Sequence, residues 1–162
     1  MRTRKWNWIL LILVIIVVAA LLGRMGLRRL IALISKRPDG LGVTDGKLAP
    51  CPASPNCVST QSADERHRMQ PIPYTTSAEE ARKRIVQIIR SMERTRIVTE
   101  EPYYVYAEFQ TPGLQYTDDV EFYLDEEAHV IHFRSAARLP YWDWDVNRKR
   151  MENIQRAFQE AQ

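Results

Sequence analysis

Apolar positions along the chain change their spacing twice, and each change marks a different kind of segment. Residues 6–22 form an uncharged run dominated by Ile, Leu and Val, with Arg2, Arg4 and Lys5 before it and Arg24 after it. At ~1.5 Å per residue such a run sits near the short limit of a membrane-spanning helix. Leu27, Leu30, Ile31 and Ile34 then recur at helical spacing among basic residues, so this stretch either lies along a membrane surface or extends the anchor helix. Residues 38–55 gather Gly40, Gly42, Gly46, Pro50 and Pro52 without apolar periodicity, which predicts a linker entering an irregular loop.

Beyond the loop the periods become those of a folded domain. Pro71 and Pro73 limit residues 69–74 to an edge strand at most. Ser77 and Glu80 form a capping box, and Ala78, Ala81, Ile85, Ile88, Ile89 and Met92 follow on one helical stripe. Residues 97–100 and 103–110 predict strands. Val120, Phe122 and Leu124 alternate with Asp119, Glu121 and Tyr123, and Ile131 and Phe133 continue the alternation beside His132 and Arg134. Met151, Ile154, Phe158 and Ala161 make a second helical stripe that begins near Asp145.

This order predicts an α+β fold: a four- to five-stranded antiparallel sheet with two amphipathic helices packed on one face, preceded by an N-terminal transmembrane helix. The expected divisions are an anchor and juxtamembrane segment at 1–37, a linker and Cys-Pro loop at 38–65, and the α+β domain at 66–162.

Charge separates along the same boundaries. The isoelectric point of about 9.0 suggests an anionic partner until the basic residues are located. Residues 1–37 hold eight Lys and Arg and no acid, leaving 15 basic against 20 acidic residues, a net of −5, for the remainder. A nucleic-acid-binding domain would need a basic stripe, so nucleic acid is excluded as an expected partner. The membrane is the expected partner of the N-terminal helix, with Trp6 and Trp8 suited to its interface. A cleaved signal peptide is the alternative, with Ala19 and Ala20 near the end of the run; the length of the run and the basic residues after it favour an uncleaved single-pass anchor.

Cys51 and Cys57, the two cysteines of the chain, flank a proline-stiffened loop. A disulfide, a metal site that would need two more ligands with only His67 close in sequence, and free or redox-active thiols are the competing readings, the first being preferred. An oxidising compartment follows from a disulfide. It opposes a strict positive-inside count, which would put the domain in the cytoplasm, and the soluble domain is expected outside.

The densest polar features are Asp118 to Phe122, Arg134 to Arg138 and Asp143 to Arg150. Asp119 and Glu121 share a strand face, Arg134 lies on the corresponding face of the next strand, and Asn147 or Arg148 is expected to reach the same edge. One reading is a structural network of ion pairs and helix capping. The other is a site in which Arg134 and Arg138 receive an anion, with Asp118, Asp119, Glu121, Ser135, Asn147 and Arg148 around it, since the planar guanidinium fork matches carboxylate and phosphate. Ser135 lacks a nucleophile elbow or triad spacing, and no metal-ligand set is complete.

Four motifs in order carry a resemblance: Leu48-Ala49-Pro50-Cys51-Pro52 with Ser54-Pro55-Asn56-Cys57-Val58-Ser59, then Asp118 to Phe122, then Arg134-Ser135, then Asn147-Arg148-Lys149-Arg150. Over about residues 40–160 the chain resembles the family of domains of unknown function designated DUF1499. Similar members are often bacterial and frequently carry an N-terminal membrane segment or signal. Two positions depart from the family's pattern: Ala137 stands where a hydroxyl residue is usual, and Asp145 where a glycine usually precedes Val-Asn-Arg. The resemblance implies no established reaction, cofactor or partner. The expected function is non-catalytic binding of an envelope protein, a lipid or a small anionic ligand at the cell membrane. The alternative is an enzyme with Asp118, Asp119 or Glu121 as acid or base and Arg134 and Arg138 on an anionic substrate.

Overall fold

The computed structural model of the protein describes residues 2–139 and 143–160, with side chains from Trp8 onward. Trp6 as an interfacial side chain and Ala161 as part of the last stripe lie outside the described residues. The first helix, α1 (Arg2–Ile34), is continuous, so the segment after Arg24 extends the apolar helix. Its part from Trp8 to Ile34 is long and apolar enough to cross a membrane.

The domain is built on an antiparallel sheet. Strands β3 (Cys57–Ser59), β4 (Ile72–Pro73), β5 (Thr95–Glu101), β6 (Tyr104–Gln110), β7 (Thr117–Asp125) and β8 (Val130–Ala137) form six strands in the order β3-β8-β7-β6-β5, with β4 also pairing β8. Short connections between β5, β6, β7 and β8 leave no alternative to a meander. The sheet has more strands than the sequence reading allowed. The fold class is as expected: α2 (Ala78–Ser91) and α3 (Val146–Glu160) pack side by side on one face.

Helix α2 starts where its side chains dictate. Ser77 Oγ accepts from the Glu80 amide at 3.3 Å and Glu80 returns to the Ser77 amide, closing the capping box. Its buried stripe of Ala81, Ile85, Val86 and Ile89 meets Met151, Ile154 and Phe158 of α3 and Val105, Val120, Phe122, Leu124 and Phe133 of the sheet. These inward residues of β7 and β8 are the alternating positions of the sequence pattern.

The opposite sheet face is covered too. Residues 38–65, expected as linker and loop, contribute a small hairpin of β1 (Val43–Thr44) and β2 (Lys47–Leu48) and the strand β3. Asp45 (φ 50°) and Gly46 (φ 71°) make the hairpin turn, the Asp-Gly pair that accepts two left-handed residues. This arm lies over β7 and β8, with Leu48 buried beneath it.

Cys51 and Cys57 are joined by a disulfide, their Cα atoms 5.7 Å apart. The metal reading fails here because both sulfurs are consumed and the buried His67 instead meets the Cys57 carbonyl, Nδ1 to O 2.8 Å. Closing this short loop stabilises the fold by about 2.4 kcal/mol on the chain-entropy estimate. Cys51→Ser/Cys57→Ser should lose that amount in urea unfolding, and wild type in strong reductant should match the double variant; equal stability with and without reductant would contradict it.

Candidate functional site

Period-two alternation of β7 divides the polar residues between two faces, and this corrects the expectation of a single site. Asp118 points toward the helices while Asp119 and Glu121 point toward the arm. Adjacent strand residues cannot act on one ligand on one side of the sheet. Two separate networks result.

On the helix side, Arg150 closes onto Asp118 Oδ2 through Nη2. Its Nη1 donates to Ser135 Oγ at 3.1 Å and to Asn147 Oδ1 at 2.6 Å, and its guanidinium lies 4.8 Å from the centre of the Phe109 ring. Asn147 Nδ2 donates to Asp143 Oδ2 at 2.8 Å and to the Asn56 carbonyl at 3.2 Å. Asp143 Oδ2 also accepts from the Asn147 amide at 2.9 Å, satisfying a free N–H at the start of α3. The Cys-Pro loop, β8 and α3 are thereby joined. Burial raises the Asp118 carboxyl above its usual range, against the pull of Arg150.

On the arm side, Asp119 takes a two-pronged bond from Arg138, Nε to Oδ2 2.9 Å and Nη2 to Oδ1 2.6 Å, while Tyr106 donates to Oδ1 at 2.6 Å. Arg138 continues to Glu108 Oε1 at 2.7 Å and to the Ser35 carbonyl at 3.3 Å. Burial would raise Glu108, but hydrogen bonds from Arg96, Arg138 and Arg37 outweigh it and hold its carboxyl at about 2. Glu121, fully buried, accepts from Gly42 N at 2.7 Å and Tyr104 Oη at 2.9 Å, with Arg134 Nη1 at 3.4 Å from its other oxygen. Burial raises Glu121 against these three donors. Gly42 adopts φ 118°, a conformation that lets its amide reach the carboxylate and that other residues rarely take.

The structure thus pairs Arg134 with Glu121 through one nitrogen and gives the two-pronged bond to Arg138. Arg148 leaves both networks: it faces the loop before β4, donating to the Arg66 and Arg68 carbonyls at 2.7 and 3.3 Å. The inward face of α3 carries Asn147, Arg150, Met151, Ile154 and Phe158, and Arg148 falls between. Arg150 is the buried charge that the sequence reading left out of its candidates. Its signal was a basic residue at an inward phase of α3 together with an acidic residue, Asp118, at an inward phase of β7.

Beside the Asp118–Arg150 pair lies a cavity of about 630 Å³. Its wall includes Met92, Phe109, Leu114, Tyr116, Leu139 and Val146, with Ala137 on β8 and Trp144 at the approach to α3. The volume is that of a site for one small molecule (~300–1,000 Å³), and the lining is mainly apolar. Trp144 is 77% exposed. Trp144 and Asp145 both have left-handed backbone, φ 52° and 60°. A glycine would relieve the side-chain clash of that conformation. Asp145→Gly should raise stability by up to about 1 kcal/mol, because the left-handed region costs an ordinary residue ~1–2 kcal/mol and aspartate somewhat less. Urea unfolding of the variant checks it, and any loss above that size would show that Asp145 holds the helix start in another way.

These features define a helix-backed antiparallel domain carried on a long apolar helix, with its buried carboxylates already met by arginines and an apolar cavity at one end of the sheet. The chain belongs to the family described as protein of unknown function (DUF1499), whose model matches residues 47–158. No curated protein and no solved structure matches it.

Proposed function

We propose that this protein is a single-pass, membrane-anchored domain on the extracytoplasmic side of the cell envelope that binds a small ligand without transforming it, with the cavity beside Asp118 and Arg150 as the binding site. The observation carrying this reading is that a ligand-sized apolar cavity stands open where Asp118 is already neutralised. The disulfide supports the oxidising side of the membrane, and the apolar helix supports the anchor. Asp118 and Arg150 line the site, with Ser135 and Asn147 holding Arg150 from behind, while Asp119, Glu121, Arg134 and Arg138 hold the arm and anchor helix in place. An enzyme using these carboxylates is disfavoured, since Asp118 and Asp119 lie on opposite faces and each is occupied by an arginine.

Thermal unfolding of the full chain in lipid nanodiscs, screened against envelope extracts and small amphiphiles, tests the reading. A ligand at a hundredfold excess over its Kd should stabilise by ~2.7 kcal/mol. Ala137→Phe, which fills the cavity from β8, should remove that stabilisation. Absence of any stabilising fraction, or stabilisation unaltered in the filled variant, would sink it.

A further inference from the structure

The cavity has a fixed relation to the apolar helix. Arg28 Nε donates to the Gly113 carbonyl at 2.9 Å, and Gly113 with Pro112 and Leu114 forms part of the cavity wall. The Arg138 bond to the Ser35 carbonyl and the Arg37 bond to Glu108, Nη2 to Oε1 2.9 Å, hold the end of α1 against the same end of the sheet. The cavity therefore stands at a definite height along the helix.

That height follows from helix geometry. Arg28 lies six residues beyond Leu22, where the apolar run ends, an axial rise of ~9 Å. The polar layer on each side of a bilayer occupies roughly 5–8 Å outside the hydrocarbon. The 17 uncharged residues 6–22 cover only ~25 Å of the ~30 Å core, which draws Arg28 and the loop beneath Gly113 still closer to the acyl chains. Leu27 and Leu30 are exposed on α1 at this level, as Trp144 is at the cavity, and apolar side chains of this kind suit the membrane interface.

Resting on the binding reading above, we infer that the occupant of the cavity is an acyl chain of a membrane lipid, entering from the leaflet in which α1 emerges, past the 112–114 loop. The cavity is apolar where a chain would lie. Its charged lining balances, Glu93, Asp118 and Asp143 against Arg94, Lys149 and Arg150, and so asks for no net counter-charge from the ligand. A mouth at the level of the lipid headgroups lets a chain move from hydrocarbon to cavity without crossing bulk water, whose cost rises by ~0.8 kcal/mol for each methylene exposed.

The test uses the full chain in liposomes of phosphatidylethanolamine and phosphatidylglycerol doped with a phospholipid bearing a mid-chain diazirine. After illumination, peptide mapping should find adducts on cavity residues such as Phe109, Leu114 and Leu139 as well as on α1. Ala137→Phe should abolish the cavity adducts and leave those on α1. Leu114→Asp, a change at a half-buried loop residue outside the core, should do the same if the filled variant fails to fold. Adducts confined to residues 8–34 would overturn the inference. If a water-soluble fraction nevertheless stabilised the protein in an Ala137→Phe-sensitive way, the binding site would stand and only its lipid occupant would fall. If neither signal appeared, both would fall.

Discussion

Arg150→Met should cost about 3–5 kcal/mol of folding free energy, because it strands Asp118 as an unpaired charge in the interior. Asp118 is 2% exposed, its carboxyl is already raised by burial, and Arg150 closes on it while also holding Ser135 and Asn147. The double variant Asp118→Asn/Arg150→Met should recover a large part of the loss, since removing both charges removes the desolvation penalty along with the attraction. Urea unfolding of the wild type, both single variants and the double variant forms the required cycle. A loss below 1 kcal/mol in Arg150→Met would mean that Asp118 is protonated or hydrated in the native protein and that the pair contributes little.

Arg138→Ala should be similarly destabilising, about 3–5 kcal/mol, by leaving Asp119 buried with only Tyr106 as a partner. It should also change the acid limb of the stability curve. Glu108 has a folded value of about 2, below the ~4.3 of an unfolded glutamate. A depressed carboxylate contributes stability that is present above its unfolded value and lost as pH falls toward the folded one. Wild type should therefore lose on the order of 2 kcal/mol between about pH 5 and pH 2 through this group, discounted for its partly exposed arginines. Asp118 and Glu121 act in the opposite sense: burial raises them, so their protonation in acid relieves a cost. Arg138→Ala leaves Glu108 with Arg96 and Arg37, and its share of the acid loss should shrink; Glu108→Gln should eliminate it. An unchanged acid limb in both variants would show that Glu108 is not held by these guanidiniums.

The contrast between what the pattern of residues foretold and what it concealed has a physical basis. Helix α2 was legible because the Ser77–Glu80 cap and the Ala81, Ile85, Ile89 stripe are local, and β7 and β8 because one face is buried and one polar. The pairing of Glu121 with Arg134 follows from the same alternation, as the two are directly opposite in register. Strand β4, two residues long, falls within the edge strand expected over 69–74, whereas β3 spans three residues, too few for any period to declare itself. Their place in the sheet comes from pairing with β8, a long-range contact. The arm over the polar face looked like linker because its job is done by backbone: Gly42 supplies an amide, and Asp45-Gly46 supplies a turn that could have been read as a hairpin. Grouping Asp118 with Asp119 followed sequence proximity, which on a strand separates side chains rather than joining them. The cavity had no sequence signature, because the ends of β6, β7, β8 and α3 converge on it from far apart in the chain.

Three ties bind the end of α1 to the domain: Arg28 to Gly113, Arg37 to Glu108 and Arg138 to Ser35. Arg28 lies within α1 itself and Ser35 and Arg37 fall within three residues of its end, so the junction has no slack in which to pivot. The sheet should turn and tilt with the helix as one piece, and its heading is inherited from whatever fixes the helix. Four glycines and serines inserted after Lys36 together with Arg28→Ala would leave the helix held by the Ser35 carbonyl alone, moving a rigid mast toward a tethered float without altering a single residue of the sheet.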